Sequence, residues 1–391
     1  MICTPEQLRQ LTQRESDWGL SFRLATSINV KDTVLTPIGN GATPFAGRFD
    51  GGGFTVAGLN LSTTTADNYG MFGALTGTVE HLRLQSVNVS GRNYVGALVG
   101  INGGIIDDVR ATGGAISGNQ YVGGLVGSNG SAGSINNART AVTVSNTGIS
   151  CGGLAGLSNG LVTKSSATGP VSTTIAAGCS FTGGLIGYAG NTSITRESFA
   201  TGTATSNGAS VGGLAGWGQG LIQDSYARGN ATGGKAGAAS CAVDPNQVFV
   251  GGLVGAHVFA TGLLRNTYAT GAVDATTGTW GGGLTGLSFS GCALANSFST
   301  GTVAGAGVLG GVTGENNACT ATAVLWDATR SGLALGANGS QGGLLSIDTS
   351  GANSGYFFAA ANTPMSTWDF VNIWAEAPMG YPKLRWELTD P

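Results

Sequence analysis

One short glycine-rich stretch returns along most of the chain and constrains its fold more than any other feature. Its clearest copy is Tyr-Val-Gly-Gly-Leu-Val-Gly at residues 121–127. Each copy places an apolar anchor after the glycines, and the anchors are Phe72, Leu98, Leu125, Leu154, Leu185, Leu214, Leu253, Leu284 and Val312. Successive anchors are separated by 26, 27, 29, 31, 29, 39, 31 and 28 residues. A period of about 20–50 residues, sustained over so much of a chain, indicates a repeat protein.

A second segment follows most glycine stretches at a nearly fixed offset. It begins with an aliphatic residue and ends in a small residue, a polar residue and glycine, as in 222–229 and 264–271. Each repeat then holds two or three short strands without a helix, which argues against leucine-rich, ankyrin and tetratricopeptide repeats. Four-stranded propeller blades need about 40 residues, more than these intervals supply. The pattern predicts an all-β fold, a single-stranded parallel β-helix (β-solenoid) that we expect to be right-handed.

The N-terminal residues 1–20 lie outside the repeat and are predicted to form a helical cap. A short helix is predicted over 4–14, with Thr4 as its N-cap and Pro5 as its first residue. Gln7 completes a Thr-x-x-Gln capping box with Thr4. A solenoid has an open apolar end, which this helix is expected to cover.

The solenoid itself is predicted over residues 21–365. An insertion at 230–249 lengthens one interval, and we expect a loop there that either takes part in recognition or is idle. Residues 366–391 are rich in tryptophan and other aromatic residues. They are interpreted as a C-terminal cap on the last coil.

Composition argues against two classes of partner. Charged residues are 9% of the chain and the formal net charge is −3, so a nucleic-acid-binding surface is not expected. No apolar run approaches the roughly 18 residues of a membrane helix, so direct membrane insertion is not expected. The first residues lack the pattern of a signal peptide. We therefore interpret the sequence as part of a longer or surface-anchored polypeptide whose targeting segments lie outside it.

The alternation of Val-Gly-Gly-Leu-Val-Gly at 250–255 with Asn-Thr-Tyr-Ala-Thr-Gly at 266–271 resembles the GLUG-motif repeats of large bacterial surface and secreted proteins. The stretch 45–56 is similar to the leading segment of that family, and 368–386 resembles the segment that closes such arrays. The resemblance covers residues 20–386. It implies a secreted or surface-displayed β-solenoid used in adhesion, or as a non-catalytic repeat beside secreted enzymes. The family has no shared catalytic residues.

The six cysteines are compatible with an oxidising compartment. Cys292 and Cys319 lie eight and seven residues after the anchors of adjacent coils. Strands one coil apart place Cα atoms about 5 Å apart, which suits a disulfide. Cys151 and Cys179 are a weaker pair because their offsets from the anchors differ by three residues. The alternative is that all six cysteines are small buried apolar residues.

The best candidate for a binding surface is an aromatic column in the second segment, the outer strip, formed by Phe199, Tyr226, Tyr268 and Phe298. Each ring precedes a small residue that we predict to face inward, so strand alternation directs the ring outward. A leading aliphatic residue that also faces inward requires a bulge between the two. Exposed rings at coil spacing would suit sugar rings or a partner's apolar surface. The alternative is that the rings stack inside or seal a corner.

Two further columns are given structural interpretations. Aromatic residues four positions before the anchors are predicted to pack in the core or at a corner, and they are Tyr94, Tyr121, Phe181, Phe249 and Trp280. Polar residues two positions after the leading aliphatic residue are predicted to stack at a turn. They are Asp108, Lys164, Asp224, Asn266 and Asn296.

The favoured function is non-catalytic adhesion or spacing, with a surface glycan or a protein of another cell or matrix as the partner. His81 and His257 are too separated for a zinc site, and neighbouring carboxylates such as Asp107 and Asp108 point opposite ways in a strand. We therefore predict no catalytic residue, no metal and no cofactor. A β-helix enzyme acting on polysaccharide is one alternative. An ice-binding solenoid is another, suggested by a threonine column that Arg228 interrupts.

Overall fold

The structure, a computed structural model, describes residues 1–175, 180–234, 248–275 and 279–389. Within these ranges, successive coils pair strand by strand in parallel, and antiparallel pairing joins only Trp374–Ala375 to Lys383–Leu384. The chain is therefore a parallel β-solenoid, as the repeat predicted. Most of the predicted insertion at 230–249, and Cys179, lie outside the described residues.

Two sheets flank the glycine stretch of each coil. Sheet 1 precedes the anchor, and its described strands are Asn93–Gly96, Gln120–Gly123, Ser150–Gly152, Phe181–Gly183, Ser210–Gly212, Val248–Gly251, Thr279–Gly282 and Val308–Gly310. Sheet 2 follows the anchor, and its described strands are Phe72–Leu75, Val99–Asn102, Val126–Asn129, Ala155–Ser158, Ile186–Ala189, Ala215–Gly218, Val254–Val258, Thr285–Phe289, Thr313–Asn317 and Asn338–Gly339.

Sheet 3 closes each coil and carries the second segment. Its described strands are Ser21–Arg23, Ile28–Asn29, Arg48–Asp50, Thr55–Ala57, Asn60–Ser62, Thr78–Ser90, Ile105–Gly118, Ser134–Asn136, Arg139–Asn146, Leu161–Thr163, Ser166–Ala167, Val171–Thr173, Ile194–Arg196, Phe199–Ala200, Ala204–Ser206, Leu221–Ala227, Ala231–Gly233, Leu263–Ala269, Val273–Ala275, Ala293–Ser299, Val303–Gly305, Thr320–Asp327 and Leu344–Ile347.

The described helices are short and lie near the two ends of the chain. Two are α-helices, Pro5–Gln13 and Ala328–Ser331, and the 3₁₀ turns are Glu15–Asp17, Gly351–Asn353, Tyr356–Phe358, Met365–Thr367 and Arg385–Leu388. In the described residues, no helix has both the length and the apolar character needed to cross a membrane.

The glycines allow the backbones of sheets 1 and 2 to meet directly. A Cβ atom on Gly124 would lie 2.0 Å from the carbonyl oxygen of Gly153 on the next coil. A Cβ atom on Gly127 would lie 2.4 Å from the carbonyl carbon of Tyr94 on the preceding coil. Close approach between coils therefore requires glycine at both positions, while the anchor Leu125 points into the core and is fully buried.

A left-handed residue in each coil of sheet 3 provides the bulge that the outer-strip prediction required. These residues have φ between 47° and 52° and stack on one another from coil to coil; they are His81, Asp108, Asn137, Lys164, Glu197, Asp224, Asn266, Asn296 and Ala323. Asparagine and aspartate tolerate this conformation better than most residues. The bulge lets both Ile106 and Ala111 face inward, and both are fully buried. The predicted polar column thus marks a conserved backbone feature of the coils, and Asn266 Nδ2 donates to Asp224 Oδ1 at 2.9 Å.

One apolar core runs inside the coils from the N-terminal helix to Trp326. Thr4 caps the helix, and the reciprocal hydrogen bonds with Gln7 form the predicted capping box. Leu8 and Leu11 bury the apolar face of the helix against the first coils. At the other end, Trp326 pairs in register with Ser299 and is buried, so its large ring takes the inward position that earlier coils fill with small residues.

Cys292 and Cys319 form a disulfide between adjacent coils, with their Cα atoms 4.6 Å apart. Cys3 and Cys151 are free thiols, so Cys151 does not take part in the weaker pair that the sequence suggested. Cys151 is buried, and burial raises the pKa of its thiol. It therefore behaves as a small apolar core residue.

Candidate functional site

The rings of the outer strip stack along the outside of sheet 3. Centroids of Phe199 and Tyr226 are 5.0 Å apart, those of Tyr226 and Tyr268 are 4.9 Å apart, and those of Tyr268 and Phe298 are 5.1 Å apart. Neighbouring ring planes differ by 5° to 8°. These rings belong to an apolar cluster separate from the inner core. The predicted outward direction is therefore correct.

The outer strip is nevertheless not an open surface, because the C-terminal segment covers it. Tyr226, Tyr268 and Phe298 are 5%, 2% and 0% exposed, and Phe199 is half-buried. Trp374 packs 5.8 Å from Phe298, and Trp386 packs 5.7 Å from Tyr226. The expectation that the strip is exposed is wrong for Tyr226, Tyr268 and Phe298, because an outward aromatic column is a good apolar partner for the chain's own tryptophans.

The C-terminal segment also differs from the predicted cap. It does not simply close the last coil. Trp368 and Trp374 contact Phe298, and further along the chain Trp386 reaches the earlier coils, where its Nε1 donates to the carbonyl oxygen of Asp224 at 2.8 Å. The segment therefore runs back along the flank of the solenoid.

An ion pair between the shielded Glu387 carboxylate and the exposed Arg228 fixes the end of this segment to the strip. Glu387 Oε2 accepts hydrogen bonds from Tyr268 Oη at 2.8 Å and from Arg228 Nη2 at 2.5 Å. The Arg228 guanidinium lies 4.4 Å from the centroid of the Tyr226 ring, within the range of a cation–π contact. Burial raises the pKa of Glu387, and burial together with the Glu387 charge raises the pKa of Tyr268. Tyr268 therefore remains a protonated donor to the carboxylate at neutral pH.

We predict that Trp374→Ala releases the C-terminal segment without unfolding the solenoid. Trp374 is fully buried between the strip and Trp368, and removal of a buried tryptophan costs roughly 3–5 kcal/mol. Hydrogen exchange should then be faster at 368–388 and on the outer strip, but unchanged at the anchors. Val371→Ala, in the same segment and 79% exposed, is the control. A uniform loss of protection through all coils would show that the segment is not a separate element.

The other predicted column forms a second aromatic surface, in which Phe181 and Trp280 are partly exposed and Phe249 is fully buried. The outward side chains of sheets 1 and 2 meet on the outside of the solenoid and form a groove beside the glycine corner, here called the aromatic groove. Phe181 of sheet 1 lies 5.3 Å from Tyr188 and 5.0 Å from Trp217 of sheet 2, between ring centroids. Phe249 and Trp280 continue the cluster. These rings pack at a corner, as predicted, and the corner lies on the outside of the solenoid.

Residues seven positions apart, one in sheet 1 and one in sheet 2, share a coil. In some coils a small residue in one sheet is accompanied by an aromatic residue in the other, whereas Phe181 is accompanied by a second ring, Tyr188. Ser210 is accompanied by Trp217, and Phe249 by Ala256. Trp217 is 4% exposed because its ring fills the space beside Ser210.

In the coil of Ser150 and Leu157 neither of these positions carries an aromatic ring, and a cleft lies there. Ser150 takes the ring position of sheet 1, and its companion in sheet 2 is only Leu157. The space left beside Ser150 is an open cleft of about 380 Å³, bordered by Tyr121 on one side and by Phe181 and Tyr188 on the other. The cleft was not predicted from the sequence. The absence of an aromatic residue at both Ser150 and Leu157 was a signal that could have indicated it.

Amide side chains line the rim of the cleft. They belong to Asn159, Asn191 and Gln219. The Oδ1 atom of Asn159 lies over Gly190, only 2.0 Å from where a Cβ atom would stand, so the glycine makes room for it. Among the described residues that line the cleft, none carries a formal charge. Burial raises the pKa of Tyr188, so its hydroxyl remains a neutral hydrogen-bonding group.

Among the described residues, one group has the composition of a metal site. Ligand atoms of Asp50, Glu80 and His81 lie within 4.8 Å of one another. Arg48 pairs with both carboxylates, and Arg23 lies 3.5 Å from Asp50. The guanidinium groups already balance these carboxylates, so the group is an ion-pair network on the first coils.

Comparisons with known proteins add little to this geometry. No family model matches the sequence. Halomucin of Haloquadratum walsbyi is 32% identical over 100 residues, a match that covers 22% of this chain and 1% of the length of halomucin. The crystal structure of a candidate immunoglobulin A1 protease from Bacteroides ovatus aligns with a TM-score of 0.49 and 17% identity, covering 99% of this chain and 92% of that one.

Proposed function

We propose that this chain is a GLUG-type repeat module that acts in adhesion outside a bacterial cell, either secreted or displayed on the surface. It would serve as a rigid, non-catalytic unit within a longer or surface-anchored polypeptide. Its partner would be a glycan or a protein of another cell or of a matrix. The observation that carries this proposal is the aromatic groove along one side of the parallel solenoid, with a cleft that is lined by uncharged residues.

Two further features support the proposal. The Cys292–Cys319 disulfide suits an oxidising, extracellular compartment. Stacked coils joined by three sheets are stiff, because each coil is bonded to its neighbours along its whole perimeter. A stiff rod with a lateral groove can hold a partner at a distance from a cell without a conformational change.

Adhesion of beads tests this proposal. Beads that display the chain would be washed over surfaces coated separately with neutral glycans, acidic glycans and matrix proteins, and the bound glycans would then be checked for cleavage. We expect retention on at least one surface and no cleaved product. Failure to bind every surface, or release of shortened glycans, would contradict a non-catalytic adhesive role.

A further inference from the structure

The cleft beside Ser150 has the dimensions of a slot for one flat ring. Ser150 pairs in register with Phe181 on the next coil, and Tyr121 lies on the coil before, directly preceding Val122, the register partner of Cys151. Tyr121 and Phe181 are therefore two coil spacings apart, roughly 10 Å. Carbon atoms in contact are separated by about 3.5–4 Å, so that interval accepts one ring-thick layer between the two aromatic side chains.

A neighbouring coil shows that an aromatic ring fits into a space of this kind. Beside Ser210, two coils beyond Ser150, the equivalent space contains the Trp217 ring, which contacts Phe181 at 5.0 Å. Beside Ser150 the chain provides two aliphatic side chains, Ile149 and Leu157, and leaves about 380 Å³ open. The solenoid thus places a ring from its own chain in one slot and leaves the other accessible. A volume of this size lies at the lower end of the range for small-molecule sites.

The lining of the slot selects the chemistry of the occupant. Tyr121, Phe181 and Tyr188 offer apolar ring faces, whereas Asn159, Asn191 and Gln219 offer amides that both donate and accept hydrogen bonds. Within the described part of the chain, the side-chain amide of Asn191 makes no hydrogen bond and is exposed. An occupant with flat apolar faces, a perimeter of hydroxyl groups and no charge matches this lining. A neutral hexopyranose unit has these properties.

We propose that this cleft is a binding subsite for one neutral hexopyranose unit of a glycan chain, with the sugar ring between Tyr121 and Phe181 and its hydroxyls at the amide rim. The inference deepens the proposed adhesive function by naming the partner class. Adhesion through a protein partner would survive its failure, so the two proposals can be separated by experiment.

Ligand-observed NMR on the full chain tests the subsite, with cellobiose, lactose and maltose as neutral probes and glucuronic acid as the charged comparison. We expect saturation transfer to ring protons of at least one neutral disaccharide and a weaker effect on the acid. Tyr188→Ala and Asn191→Ala should each weaken binding, by roughly tenfold for the ring that forms a central contact. Phe259→Ala, an exposed ring outside the cleft, should bind as the natural chain does.

A variant whose own side chain fills the cleft gives the most direct test of the subsite. Leu157→Trp places a tryptophan where the coil containing Ser210 already has one, so the fold should accept it, and the new ring should abolish binding. Leu157→Val keeps the slot open and should retain binding. A natural chain that binds none of the three disaccharides would overturn the subsite, and so would binding that persists in Leu157→Trp. Retention of beads on a protein surface in either case would leave the adhesive function standing.

Discussion

Leu214→Asp is expected to unfold several coils of the solenoid. Leu214 is 1% exposed within the inner core, and its amide and carbonyl groups bond to Leu253 and Leu185 on the adjacent coils. The substitution removes a buried leucine contribution of roughly 1.5–3 kcal/mol and places an uncompensated charge in an apolar interior. The total cost should be about 5 kcal/mol or more. Since each coil is stabilised by its neighbours, the defect should spread to the flanking coils.

Thermal unfolding followed by circular dichroism measures this effect. Thr205→Asp is the matched control, because it introduces the same charge on the same coil at an exposed position of sheet 3. We expect a strongly lowered midpoint or a partly unfolded chain for Leu214→Asp and a change near zero for the control. Equal melting of both variants and the natural chain would contradict the inward position of the anchors.

Acidification is expected to destabilise the chain through His257. This residue is 0% exposed, and burial lowers its pKa to about 3; neither ring nitrogen has a hydrogen-bond partner among the described residues. The imidazole of an unfolded chain has a pKa of about 6.5. Between these values the unfolded chain binds a proton that the folded chain does not, so stability falls as the pH falls. At pH 4 the loss should be roughly 3 kcal/mol relative to pH 7.

His257→Asn separates this contribution from that of the carboxylates. Asn316 occupies the same inward column of sheet 2, so asparagine suits the position. Urea unfolding of the variant should show a shallower loss of stability between pH 7 and pH 4. His81→Asn is the control, since the His81 side chain is half-exposed and its left-handed backbone also accepts asparagine. Identical pH profiles for the natural chain and His257→Asn would rule out a buried neutral imidazole.

The repeat was sufficient to predict the solenoid because its physical constraints are local. Anchors such as Leu125 must face inward, and glycines such as Gly124 must meet the next coil, so their recurrence identifies the coil directly. The left-handed column also has a local cause, because Asp108 and Asn266 are residues that tolerate positive φ. The capping box depends on Thr4 and Gln7 alone. These features need no knowledge of distant contacts.

The exposure of the aromatic columns could not be predicted from the sequence, because it depends on contacts between segments that are distant along the chain. The outward direction of Tyr268 follows from strand alternation, but its coverage by Trp374, more than a hundred residues later, has no local cause in the sequence. The aromatic groove was also not predicted, although its residues are close in sequence. Phe181 and Tyr188 belong to different sheets, and their rings meet only once sheets 1 and 2 are in place. The local signal of the cleft is that neither Ser150 nor Leu157 is aromatic, whereas the next coil has rings at both positions, Phe181 and Tyr188.

We propose that the chain adheres to its partner through the aromatic groove and not through the covered outer strip. Bead retention should therefore be compared for the natural chain, a Phe181→Ala/Tyr188→Ala variant of the groove, and a Phe199→Ala variant of the strip. We predict that the groove variant loses retention by about tenfold or more, as expected when central aromatic contacts are removed, while the strip variant retains it. Full retention by the groove variant, or loss confined to the strip variant, would contradict the account.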